Sequence, residues 1–254
     1  FWLYEASRMR NRPDRDVLRL AIGHARRAVE LDAASGDAHA SLALFLMAAG
    51  EITEGVASGR QAVALEPNDW RHHFRLGVAE WGPERLSSLA EVERRYPDFG
   101  HSYFSMAMIH VASGAFDAAS AVLERGIDRS DIGAGRPSRF PAVGLHWLLG
   151  LTRWAVNGDR AEVRRQLELE CASTTRPVYA TEYTMNAYDG LGFLALEEGR
   201  LDDADQAFSK ALESYPDHAR SLIGRAMTCR ARRQPERVAE FMAHADKAIA
   251  ELVS

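Results

Sequence analysis

One group of small and apolar residues returns along this chain with a step of 34. Leu191, Gly192, Ala195, Gly199, Ala204, Phe208, Ala211 and Pro216 make one full unit, and Leu42, Gly50, Ala62 and Pro67 mark an earlier one. A unit this short cannot bury its own apolar face, so neighbouring units must stack and share a core. The period predicts pairs of helices packed side by side, with stability spread over nearest-neighbour contacts.

The register places unit starts near residues 2, 36, 70, 100, 144, 185 and 219. Steps of 34 hold for three of the six intervals, and the two long intervals coincide with loop chemistry. Asp131 to Pro141 carries Gly133, Gly135, Pro137 and Pro141, so the spacing predicts a loop over about 131–142. A second loop is expected over about 172–184. No boundary between domains is expected, and residues 1–254 read as one array.

Within each unit, turn residues separate two helical patterns. Phe1 to about Asn11 opens the first unit, and Pro13 ends that helix. Asp37 is a candidate cap for the next unit's first helix, which Gly50 ends, and Pro67 closes its second. Gly82-Pro83 and Gln234-Pro235 are further turns. The last helix, from Glu236 to about Leu252, puts Val238, Phe241, Met242, Ala245 and Ile249 on one stripe. Small residues should sit where helices approach closely: Gly77, Ala107, Gly150, Gly192 and Ala226 within a pair, and Ala62, Ala211 and Ala245 toward the next.

Charge narrows the function. The net charge is −5, and apart from Lys210 and Lys247 every basic side chain is arginine. That argues against a nucleic-acid partner, which wants a strongly basic face. No apolar run approaches the roughly 18 residues of a membrane span. The Arg-, Ala- and Gly-rich usage points to a GC-rich bacterial source, and Cys171 and Cys229 to free thiols in a reducing cytoplasm. Phe1 in place of Met points to a processed product or a piece of a longer protein, with no legible signal peptide. No nucleotide, hydrolase or metalloprotease motif is present. His72-His73 and His101 with His110 are the nearest approach to a metal cluster, but adjacent helical residues diverge by about 100°. No metal, cofactor or enzymatic activity is expected.

These residues resemble the tetratricopeptide-repeat family, most strongly over the unit ending at Pro216 and well over 36–69. The resemblance implies an all-α fold, a right-handed solenoid of about seven antiparallel helix-turn-helix repeats. It implies a non-enzymatic scaffold whose first helices line a concave groove for a peptide or protein segment. Carried onto this chain, the groove positions are Arg71, Phe74 and Trp81; His101, Phe104 and Met108; Trp147, Leu151 and Trp154; Asn186, Asp189 and Phe193; Arg220 and Arg230. The aromatic and methionine positions suit an apolar segment, and the same spacing equally describes buried packing. The family's chaperone-tail subgroup holds a carboxylate with Lys and Asn, and the corresponding half of this chain has no lysine. A second, weaker likeness to repeat regions of bacterial regulators and cyclases implies a regulatory or self-associating module of a larger protein.

Overall fold

The computed structural model describes residues 14–130, 143–156, 158–172 and 180–253, and among them every regular element is a helix. They fall into two compact units divided at Ala142/Val143. The expected opening helix at Phe1 to Asn11 and the loop at 131–142 lie outside the described residues. No described helix is long and apolar enough to cross a membrane.

In the first unit α1 (Arg15–Leu31) is followed by the pairs α2 (Gly36–Ala48) with α3 (Ile52–Leu65), α4 (Trp70–Ala79) with α5 (Pro83–Arg95), and α6 (Gly100–Ala112) with α7 (Phe116–Ser130). Each helix packs on the next, and α2 also meets α4. Helix starts follow local chemistry. The Asp14 carboxylate accepts from the amides of Asp16 and Val17 at 3.1 and 3.0 Å, and Asp69 accepts from Arg71 N–H at 2.9 Å. The cap of α2 is Ser35, whose hydroxyl accepts from Ala38 N–H at 3.2 Å, not Asp37, which lies in the first turn. A short side chain one position before the helix reaches the orphan amides, whereas Asp37 is already helical.

The second unit holds α8 (Leu145–Ala155) with α9 (Arg160–Ala172), α10 (Ala180–Glu197) with α11 (Leu201–Ser214), and α12 (Ala219–Ala231) with α13 (Pro235–Val253). Here the first helices also touch one another, α8 on α10 and α10 on α12, so they form one layer and α9, α11 and α13 another. Residues 180–184 of the expected second loop are helical, as is Ala172. The polar run Thr181 to Thr184 reads as loop, yet it contains nothing that breaks a helix.

Glycines set the spacing between helices. A Cβ on Gly150 would stand 3.2 Å from the Leu167 side chain of its own pair, and one on Gly190, in the next pair, 3.1 Å from the same leucine. Phe208 repeats the relation: a Cβ on Gly192 would approach its ring to 2.5 Å and one on Gly224 to 2.4 Å. Leu167 and Phe208 are fully buried. Helices α9 and α11 thus each plant one large side chain between glycines of two first helices. In the turns, Gly50, Gly114 and Gly199 take left-handed φ values of 81°, 73° and 73°, and in the last pair Arg233 adopts the same conformation at 59°.

Burial pushes His73, His101 and His218 below the ordinary histidine value of 6.5. Each stays neutral in the fold at a pH where the unfolded chain has begun to take up a proton. Stability is therefore greatest above 6.5 and declines as pH falls through that value toward the folded pKa values. We expect the urea midpoint to drop between pH 7.5 and pH 5.5, and His218→Phe to flatten part of that slope. An unchanged slope in the variant would remove His218 from the account.

Candidate functional site

The three first helices of the second unit turn one face each toward a common cavity of about 260 Å³. On α8, Trp147, Leu151 and Trp154 follow the i, i+4, i+7 spacing that puts three side chains on one face. On α10, Asn186, Asp189, Gly190 and Phe193 do the same, and α12 adds Arg220. The groove positions of this unit are therefore brought together, except Arg230, which is exposed on α12 and does not line the cavity.

The apolar wall is braced from outside. The Trp147 ring lies 5.6 Å from that of Tyr183, and the Arg160 guanidinium sits 5.7 Å from the centre of the Trp154 ring. Phe193 meets Phe208 edge-on at 5.0 Å. The start of α8 is held by Glu170, whose carboxylate accepts from Gly144 N–H at 2.8 Å and Trp147 N–H at 3.1 Å. Burial pushes this carboxyl above its usual range, against the pull of those two amides. The sequence shows Glu170 only as an acid beside Cys171, because its partners lie more than 20 residues away.

The polar end is a linked set. Asp189, 3% exposed in its side chain, accepts from the Arg220 guanidinium and from the Ser221 hydroxyl at 2.8 Å. That hydroxyl gives its only proton to Asp189, so at 2.7 Å from His218 Nδ1 it accepts, fixing the histidine tautomer. Asn186 Oδ1 accepts from a second Arg220 nitrogen. Arg220 is thus not a loose surface cation. Its side chain is 53% exposed while its head is aimed by a buried carboxylate.

In the first unit the expected groove positions serve differently. Arg71 turns back onto Asp69, and the pairing holds that carboxyl down at about 2. Phe74 meets Phe99 edge-on at 4.7 Å, His101 approaches the same ring at 5.5 Å, and Trp70 stacks on Tyr96 at 4.8 Å. Phe104 and Met108 are half-buried on α6. Trp81 is not on a helix. The α4 helix ends at Ala79 and Glu80 is extended, which leaves Trp81 in the turn at 59% exposure. There it covers Arg85 at 4.7 Å, while Arg85 donates to the carbonyls of Gly77, Val78 and Glu80 that close α4.

Sequence reasoning also missed that Glu66 and Asp69 join His72, with ligand atoms all within 4.8 Å of one another. These groups already have work: Glu66 accepts from Gly36 N–H at 3.1 Å and meets His72 Nε2 at 3.1 Å, and Asp69 caps α4. A metal on Nε2 would move the ring proton to Nδ1, which is buried with no hydrogen-bond partner. The donor set suits a lock on the α3–α4 turn better than a metal.

Stacked helix pairs with a cleft along their first helices define a helical-repeat protein. Residues 186–218 match the tetratricopeptide repeat family, and the fold is that of a tetratricopeptide-repeat solenoid. No curated protein matches it. Among solved structures, a chain of the APC/C hetero-tetramer Cut9-Hcn1 is similar at 12% identity with a TM-score of 0.71, over 92% of this chain and 44% of that one, so this chain spans less than half of its length. The type IV pilus biogenesis factor PilW is similar at 15% identity and a TM-score of 0.63, over 85% and 96% of the two chains. A tetratricopeptide repeat protein from Parabacteroides merdae gives 12% and 0.59, over 95% and 94%. At these identities the likeness is one of fold.

Proposed function

We propose that this chain is an interaction scaffold rather than an enzyme, and that the cleft of its second unit takes a segment of a partner protein. One observation carries this reading. Trp147, Trp154, Leu151 and Phe193 converge on a cavity of about 260 Å³ whose polar end is an arginine fixed by a buried carboxylate. An apolar cavity with few, well-placed polar groups is the usual form of a recognition site. Its size suits one large apolar side chain. Arg220 uses two of its N–H groups on Asp189 and Asn186, and a guanidinium has five. The others are suited to a peptide carbonyl or a carboxylate beside the inserted side chain. Arg230 is assigned no contact in the cleft.

A displayed peptide library selected on the whole chain tests this. Selected peptides should share an apolar residue next to an acceptor. Leu151→Arg, which fills the cavity without emptying the core, should weaken them about thirtyfold or more, as expected for a central contact. Peptides that bind this variant as they bind the parent, or a selection that yields none, would defeat the proposal.

A further inference from the structure

Helix α10 has a second cleft on its opposite side. At 100° per residue, Tyr188, Leu191 and Ala195 lie across the helix from Asn186, Asp189 and Phe193. With α9 and α11 they enclose a space of about 490 Å³, within the range of small-molecule pockets. Leu191, Ala195 and Ala207 give it an apolar base.

Its two ends differ in charge. At one end Glu198 binds Arg164 at 2.5 Å and Arg200 at 2.7 Å, and Arg200 also holds Asp203, so both guanidinium charges are paired, although Arg164 Nε has no hydrogen-bond partner. Ten residues along α11, about 15 Å away by helical rise, stands Lys210. Its ammonium lies 5.2 Å from the centre of the Tyr188 ring and makes no ion pair among the described residues. Lys247, the other lysine, faces Glu251 at 4.0 Å. The neighbouring Cys171 is a neutral thiol, pushed up to about 12 by burial and by Glu170. Lys210, without an ion pair among the described residues, therefore stands at the end of a cleft with an apolar base and a polar rim, in a protein of net charge −5. Glu168 and Asp203 line the same space and disfavour a second negative charge on any occupant.

We propose that this cleft binds a small organic monocarboxylate, its carboxylate on Lys210 and its apolar body on Leu191, Ala195 and Ala207. The site is separate from the peptide cleft on the other side of α10 and does not depend on it.

The two lysines make the test direct. Reductive methylation with ¹³C-formaldehyde keeps their charge and gives each a resolved signal, with Lys210→Arg assigning its own. Titrated with hexanoate, the Lys210 signal should move saturably while that of Lys247 stays still. Hexanol and hexylamine should leave both in place. Gln206→Trp, which crowds the cleft from an exposed position of its lining, should weaken hexanoate about tenfold or more. An unmoved Lys210 signal, parallel movement of Lys247, an equal response to hexylamine, or unchanged binding by the Gln206→Trp variant would each overturn the proposal.

Discussion

Gly224→Ala should lower the stability of the second unit by about 2 kcal/mol, a large effect for one added methyl group. The new Cβ would lie 2.4 Å from Cε1 and Cζ of Phe208, closer than packed carbons approach. The ring is fully buried. It cannot retreat either, because Gly192 lies against it on the other helix, where a Cβ would stand 2.5 Å from the same Cε1. Alanine's better helix propensity returns up to about 1 kcal/mol, which the overlap outweighs. Gly23→Ala is the matched control. It is also in a helix, α1, and a Cβ there meets nothing within 4 Å. It should stabilise by about 0.5 kcal/mol or more, partly by restricting the unfolded chain. Phe208→Leu should cost stability alone but recover part of the Gly224→Ala loss when combined, a coupling that urea unfolding of the four proteins reads. If Gly224→Ala behaved as Gly23→Ala does, the clasp around Phe208 would not exist.

The second large effect is expected at Asp189. Replacing it with alanine should cost about 3 kcal/mol. The carboxylate is almost fully enclosed, and it accepts from two donors with unequal alternatives. Arg220, half exposed, can turn to water at small cost. Ser221 has no exposure, so its hydroxyl would be left without an acceptor and His218 with a disturbed partner. Asp189→Asn keeps one accepting oxygen and should cost about half as much. A double-mutant cycle with Arg220→Ala should show non-additivity, because Arg220→Ala leaves the buried carboxylate short of a partner and Asp189→Ala removes that carboxylate. An additive cycle would mean that the arginine is placed by something else, and the polar end of the cleft would lose its basis. The same Asp189→Ala protein should lose selected peptides more than its stability change explains, since Arg220 is then unaimed.

The two sites were legible to different degrees. The 34-residue step put helix starts at residues 36, 70, 100 and 219, where α2, α4, α6 and α12 begin, because caps and turn residues act within a few positions of the bond they control. The family resemblance grouped Trp147, Trp154, Asn186, Asp189, Phe193 and Arg220, which line one cavity. It misplaced Trp81, since α4 is cut short by an extended Glu80 that composition does not announce. The period showed Gly150 and Gly192 but not Gly190 and Gly224, whose partners belong to the preceding pair. The resemblance placed Arg220 in the groove but not what aims it, a carboxylate 31 residues earlier. Contacts inside a repeat leave a local mark. Contacts between repeats are visible only once the period has been converted into neighbours.

The shared seating of Leu167 and Phe208 bears on how such a chain changes length. Gly190 stands to Leu167 as Gly224 stands to Phe208, and the two glycines are one period apart. Excising residues 186–219 would deliver Gly224 to the place Gly190 vacates, against Leu167, with no side chain asked to change size. An excision of most other lengths would bring a bulkier residue to that seat or break the helical register. The joint therefore admits growth and loss by whole modules and resists partial ones, which makes the module, rather than the residue, the unit in which this half of the molecule can be rewritten.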